Sequence, residues 1–157
     1  MIFATVGSTS IRFDRFVDAL EALPGRADLL VQHGPMRAPE GAGRAVPYLQ
    51  FPDVVESMEA ADVVISHAGA GSILCALRVG HTPIVVPRLK RFEETVDDHQ
   101  VEFARALAAQ GKVIAIEDLE RLPEAVARAP RRLEATASDA PRPIQVAVRE
   151  ALYGAAA

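Results

Sequence analysis

A chain of 157 residues, half of them apolar, is long enough to bury a single core without disulfides or a structural metal. Its formal charge of −4, with acids and bases interspersed, gives no sign of a nucleic-acid-binding surface, and its single cysteine, Cys75, excludes an internal disulfide framework and fits a reducing compartment. No apolar run approaches the ~20 residues that cross a bilayer, and Arg12 and Asp14 interrupt the N-terminal segment before it reads as a signal peptide, so a soluble cytoplasmic protein is expected.

Met1–Val6 reads as a strand that ends in the turn Gly7-Ser8-Thr9-Ser10, after which Phe13, Phe16, Val17, Leu20 and Leu23 recur at helical spacing up to Pro24-Gly25. Asp28–Gln32 reads as the next strand. Gly34 to Pro47, broken by glycines and prolines, reads as a long loop with a short strand near Ala45–Leu49. A helix over Asp53–Ala60, a strand over Val63–Ser66, a helix over Ser72–Val79 and a strand over Pro83–Val86 follow, and Pro87 closes the last of these. Beyond a polar loop, Arg88–Val96, the pattern predicts a helix from about Asp98 to Gln110, a strand over Val113–Ile116 and a helix near Leu122–Arg128. This βα rhythm implies an α/β domain over residues 1–128, Rossmann-like, with a mostly parallel sheet covered by helices on both faces. Residues 129–157 read as a flexible connection, rich in Arg, Pro and small residues, and a C-terminal helix striped by Ile144, Val148 and Leu152.

The segment Val63–Ser72, VVISHAGAGS, carries the strongest local signal. A buried strand ending in a small-residue turn before a helix leaves backbone N–H groups aimed at one point, which suits a phosphate; the same glycines also serve simply to let helix and strand approach closely. In open α/β sheets ligands gather at the carboxyl ends of strands, so the loops after Val6, Ser66 and Val86 converge on one edge. Gly7-Ser8-Thr9-Ser10 is either a second phosphate-facing turn or a plain capped helix start. His67 is either a half-buried histidine bonded to the backbone or a ring beside the cradle. Asp97 and Asp98 suit a helix start, whereas His99 and Gln100 carry donors and acceptors that suit vicinal hydroxyls, a combination fitting a sugar nucleotide. Asp97, Asp98, His67 and His99 lack a recognised metal-ligand spacing, so no metal is expected. Ser66 and Ser72 are not in a G-x-S-x-G elbow, and the first turn lacks G-x-G-x-x-G, which argues against a serine hydrolase and a dinucleotide enzyme.

Taken together, TVGST at Thr5–Thr9, SHAGAGS at Ser66–Ser72, GHTPIVVP at Gly80–Pro87 and DDHQ at Asp97–Gln100 resemble the C-terminal, donor-binding half of family 28 glycosyltransferases. The likeness is greatest to the stand-alone form of that half, as in the small catalytic subunit of the dolichol-linked GlcNAc transferase and in bacterial PssE-type exopolysaccharide enzymes. It runs from Met1 to about Ile116, and VPRLKRFEETVDDHQ resembles the bacterial branch in particular. The resemblance implies one Rossmann-like half of a GT-B enzyme and a metal-independent, inverting hexosyltransferase with no cofactor beyond its UDP-sugar substrate. Ala68, Gly69, Ala70, Gly71 and Ser72 then cradle the UDP diphosphate, with Gly7, Ser8, Thr9 and His67 beside it. The loop Phe51-Pro52 falls where the family contacts uracil, and Asp98, His99 and Gln100 where it contacts the donor sugar. The catalytic base stays open between His67 and a group on the partner half that binds the acceptor.

Two positions depart from the family pattern. Several relatives hold the ribose with a glutamate at the position of Cys75, so ribose recognition passes to a backbone group or to Ser72, or the donor is held weakly. Glu93-Glu94-Thr95 stands where bacterial relatives often have Gly-Glu-His. The resemblance also implies partners: a membrane-attached subunit resembling the N-terminal GT-B half, which brings a lipid-linked glycan acceptor and recruits the chain to the inner face of the cytoplasmic membrane. The Ile144–Tyr153 helix is the expected part of that interface. The reading is therefore the donor-binding subunit of a heteromeric UDP-sugar glycosyltransferase in exopolysaccharide or glycolipid synthesis, with a non-catalytic regulatory or scaffold relative as the alternative.

Overall fold

A computed structural model describes residues 1–130. The strands are β1 (Ile2–Thr5), β2 (Leu29–Gln32), β3 (Arg44–Val46), β4 (Val63–His67), β5 (Ile84–Val86) and β6 (Ile114–Ala115). The α-helices are α1 (Asp14–Glu21), α2 (Phe51–Ala60), α3 (Ala70–Arg78), α4 (His99–Ala109) and α5 (Leu122–Arg128). All strand pairings are parallel, in the order β3-β2-β1-β4-β5-β6.

The pleat of the sheet sorts the core. Phe3, Leu30 and Val64 stand in one row across β2, β1 and β4 and pack against Met58 of α2 and Ala76 of α3. Their sequence neighbours Ala4, Val31 and Ile65 face the other way, with Ile84, onto Phe16, Val17 and Leu20 of α1 and Leu122 of α5. Val85 returns to the first face and meets Ile73 of α3 and Ala104 and Leu107 of α4. Strands covered on both faces need apolar residues at successive positions, which is why they read as short unbroken runs such as VVIS and IVV and not as alternations. Helices α1 and α5 thus cover one face and α2, α3 and α4 the other.

The strand order reverses direction between β1 and β4. In a doubly wound sheet this is where consecutive crossovers leave to opposite faces and open a crevice at the carboxyl ends. The β1–α1 turn and the β4–α3 turn flank that crevice.

The predicted elements are present, with shifts at their ends. Helix α3 begins at Ala70, so Gly71 and Ser72 belong to its first turn and not to the connecting turn. Phe51 and Pro52, expected in a loop, form the first turn of α2, because proline has no N–H to lose there and its φ already suits a helix. The short strand expected near Ala45–Leu49 is β3, slightly earlier. The flexible connection beyond residue 130 and the Ile144–Tyr153 helix lie outside the described residues. No helix among the described residues is long and apolar enough to cross a membrane.

The loop expected over Arg88–Val96 is present, but not all of its polar residues face solvent. It contains a single 3-10 turn (Lys90–Phe92) and two ionisable residues that are buried, Arg88 and Glu94, at 2% and 5% exposure. Between them Glu93 takes a left-handed backbone, φ 58°, alone among the described non-glycine residues. A Cβ there costs roughly 1–2 kcal/mol, and glycine gives back about 0.5–1 kcal/mol in unfolded-state entropy. Glu93→Gly, the residue expected at this position from the family pattern, should raise stability by about 0.5–1 kcal/mol, read as a higher urea midpoint at unchanged slope.

Candidate functional site

Near the switch between β1 and β4, Thr5 and Gln32 end their strands buried, and Ser66 is buried one residue before the end of β4. Gly7, at φ 80°, donates its N–H to Thr5 Oγ1 at 3.0 Å, and its carbonyl accepts from Gln32 Nε2 at 2.8 Å. These two bonds hold the first turn against the sheet. The His67 ring then fills the space between the two turns: a Cβ on Gly7 or on Gly69 would overlap its imidazole. Both glycines therefore serve close approach to one ring.

That position decides what His67 can do. Its Nδ1 is fully buried without a hydrogen-bond partner. Burial, and next the positive charge of Arg88, push its pKa down to about 4, against a smaller opposing pull from the Thr5 backbone. At neutral pH the ring is uncharged and a weak base. His67 is a half-buried ring beside the cradle residue Gly69, one of the two placements that its sequence position suggests, and there it is a wedge that sets the spacing of the two turns.

An open cleft of 530 Å³ lies beside this wedge, lined by Ala68, Gly69 and Ala70 on one side and by His99, Gln100, Glu102, Phe103 and Ala106 on the other. The first intrahelical bond of α3 runs from Ile73 N to Gly69 O at 3.1 Å, and no side chain caps the helix. The N–H groups of Ala70, Gly71 and Ser72 consequently lack intrahelical acceptors. The start of α4 faces them across the cleft. The α3 N-terminus with its partial positive charge thus opens on the cavity, which suits an anion, while the α4 side presents His99, Gln100 and the Glu102 carboxylate and has its own first N–H capped by Asp97.

Gln100 is oriented by its surroundings. Its Oε1 accepts the Arg88 main-chain N–H at 3.1 Å, which leaves its two N–H donors for the cleft. Asp98, expected as a helix cap, instead accepts from Lys90 N at 3.0 Å and ties the loop to α4. Asp97 takes the His99 N–H at 3.1 Å and also bonds the His99 ring, which holds the Asp97 carboxyl below its usual range.

The structure therefore joins the turn Ala68–Ala70 to His99 and Gln100, two segments about thirty residues apart in sequence. Gly71 has open space where a Cβ would stand, and neither it nor Ser72 lines the cleft. Thr9 Oγ1 accepts from Ile11 N at 3.2 Å, and Ser8 is exposed on the same turn. Phe51, 62% exposed, and Pro52 stand at the start of α2, outside the cleft lining. Cys75 is half-buried against the cluster of Phe3, Met58 and Ala76, and burial raises its thiol pKa, so it is a neutral packing group. Among the described residues no group of three or more His, Cys, Asp or Glu side chains is arranged to hold a metal ion. Sequence reasoning missed Glu102 and Phe103, which helical spacing from His99 would have placed on the same face, and it missed Arg88 and Glu94, for which periodicity carries no signal.

The sequence model of the glycosyltransferase family 28 C-terminal domain matches residues 1–152. The chain belongs to this family. Among curated proteins it is 47% identical over 55 residues to the UDP-N-acetylglucosamine transferase subunit ALG13 of Yarrowia lipolytica, a stretch covering 35% of this chain and 26% of the relative. It is 33% identical over 124 residues to the human ALG13 subunit, covering 70% of this chain and 10% of that protein. With the UDP-N-acetylglucosamine--N-acetylmuramyl-(pentapeptide) pyrophosphoryl-undecaprenol N-acetylglucosamine transferase of Sorangium cellulosum it shares 32% identity over 113 residues, 65% of this chain and 26% of the relative. The matched stretches thus span about a quarter or less of these relatives. In this family 28 domain the strand order and the parallel sheet agree with the GT-B half that the motifs imply.

Two measurements check the wedge. Gly69→Ala should destabilise by about 1–3 kcal/mol through overpacking against the ring, and combining it with His67→Ala should recover most of that loss in a double-mutant cycle. Because the folded pKa of His67 lies below its unfolded value, the unfolded state binds the extra proton between pH 6.5 and about 4, and His67 lowers stability as pH falls through that window. The effect is on the order of 3 kcal/mol, read as the difference between wild type and His67→Gln in urea titrations from pH 7 to 4.

Proposed function

We propose that this family 28 domain is the donor-binding subunit of a UDP-sugar glycosyltransferase whose acceptor-binding half is a separate, membrane-attached chain. The observation that carries the reading is the single cleft flanked by the α3 and α4 N-termini, with His99 and the donor face of Gln100 opposite Ala68–Ala70. In this reading the diphosphate lies against the turn Ala68–Ala70 at the α3 N-terminus, and the hexose extends toward His99 and Gln100. Family membership and the word "subunit" in the ALG13 relatives' names support the same division of labour.

In this reading the acceptor hydroxyl attacks the anomeric carbon from the face opposite UDP. The carbon–oxygen bond to the diphosphate breaks, and its electron pair leaves with UDP, so the configuration inverts. Backbone N–H groups and the α3 helix dipole stabilise the charge that builds on the departing diphosphate, without a metal. The hydroxyl proton passes to a base on the partner, since His67 is wedged half-buried between the two turns and is weakly basic. A lipid-linked glycan acceptor in exopolysaccharide or glycolipid synthesis at the inner face of the cytoplasmic membrane completes the proposal. Phe51 and Pro52, at the exposed start of α2, remain the proposed uracil contact.

The neutral, packed Cys75 favours a second reading, a non-catalytic relative that binds a uridine nucleotide and scaffolds its partner. Calorimetric titration without added metal, using UDP, UDP-GlcNAc, UDP-glucose and UDP-glucuronate with NAD as control, separates these. Uridine nucleotides should bind and NAD should not; binding by NAD alone overturns both readings, and uridine binding without sugar transfer in the presence of the partner selects the scaffold. Gln100→Ala should weaken UDP-sugar binding about tenfold, the equivalent of one hydrogen bond, and leave UDP binding within twofold. Equal losses for both ligands would remove Gln100 from sugar recognition.

A further inference from the structure

Arg88 leaves β5 just after Pro87 and turns its guanidinium beneath the β1–α1 turn, where it is 2% exposed. Nη1 donates to the carbonyls of Ile11 and Arg12 at 3.0 Å each and reaches that of Glu94 at 3.4 Å; Nη2 donates to Val6 O at 3.3 Å. The guanidinium also covers the Phe13 ring, 4.5 Å from its centroid. None of these partners is a carboxylate. Glu94, the neighbouring buried acid, directs its oxygens to Arg15 at 2.7 and 2.8 Å and to Leu89 N at 2.9 Å. Arg15 in turn donates to Pro87 O at 2.6 Å and lies over both Phe13 and Phe92.

Burying an arginine is costly unless its donors find partners; here Nη1 and Nη2 meet main-chain oxygens, three of which bracket one turn, while Nε is buried without a partner. Val6 O lies before Gly7-Ser8-Thr9-Ser10 and the carbonyls of Ile11 and Arg12 lie after it. The same residue orients Gln100 through its own N–H. Arg88 therefore touches the backbone of two loops and one cleft-lining side chain at once. A generic ion pair does none of this.

We propose that Arg88 is a positioning residue for the donor site: its guanidinium ties the β1–α1 turn to the β5–α4 loop as one preorganised rim, with Arg15 and Glu94 closing the clasp. This rests on the reading of the cleft as a nucleotide-sugar site. The fork matters more than the charge. A lysine ammonium offers three donors from one point and cannot span four carbonyls held around a planar group.

The test compares wild type with Arg88→Lys in the full chain by titration with UDP and UDP-GlcNAc, at a temperature where circular dichroism shows both folded, alongside amide hydrogen exchange. Arg88→Lys should weaken UDP-GlcNAc binding at least tenfold, and should speed exchange across residues 7–12 and 89–98 while the amides of β4 and α2 keep their protection. A role in global stability alone would lower the melting temperature and leave the affinity of the folded protein unchanged; that result, or full rescue by lysine, overturns the proposal. If Arg88→Lys does not fold, Glu94→Gln takes its place: it keeps the side-chain shape, loosens Arg15, and should weaken binding threefold to tenfold with faster exchange in the same two segments. Wild-type affinity and wild-type exchange in a folded Glu94→Gln overturn the proposal equally. Absence of uridine binding by wild type counts against the donor-site reading, and the exchange arm then decides whether Arg88 holds the rim.

Discussion

An all-parallel sheet has one edge at which every strand ends, and each connection back to the other edge must cross a face. Because the crossovers leaving β1 and β4 go to opposite faces, their turns part at the middle of that edge. Everything that follows in this domain is a way of occupying the gap. The His67 ring fills its floor between Gly7 and Gly69, the α3 N-terminus forms one wall, and the Arg88 loop carries the α4 N-terminus in to form the other. The cleft exists because the topology opens it, and small residues are required where the ring closes its base.

Charge is distributed unevenly around this edge. Most ion pairs of the described residues are exposed, as between Arg105 and Glu117 or between Arg37 and Asp18, and contribute little individually. Arg88, Glu94 and Arg15 form the buried exception. Two guanidiniums against one carboxylate leave a net positive charge behind the turns, which helps to keep His67 neutral and adds to the field of the α3 N-terminus. A site with backbone donors, a helix dipole and a buried cation can meet an anion without surface basicity, consistent with a chain whose overall charge is negative.

The family pattern and the physical reading meet at the two departures. Glu93 occupies a left-handed backbone position that glycine adopts without strain, and its neighbour Glu94 is committed to Arg15 and to the backbone of Leu89. Cys75 faces the apolar cluster beneath α2 and α3, where a thiol packs well and a carboxylate would need a partner. One departure is a local backbone cost borne by the loop; the other places a thiol instead of a carboxylate against the edge of an apolar cluster.

The sequence by itself determined the order and kind of nearly every described element, because apolar runs bounded by glycine, proline and small polar residues carry that information locally. It also determined that SHAGAGS and DDHQ belong to one edge, since both follow strands of the same βα series. Only the tertiary structure decided what the individual groups do there. That His67 is a neutral wedge depends on Gly7, sixty residues away, and that Gln100 offers donors depends on the Arg88 N–H. The burial of Arg88 and Glu94 inside what reads as a polar loop depends on Val6, Ile11 and Arg12 presenting their carbonyls. Backbone oxygens are the same at every position in a sequence, so which of them a side chain will meet is settled when the chain folds.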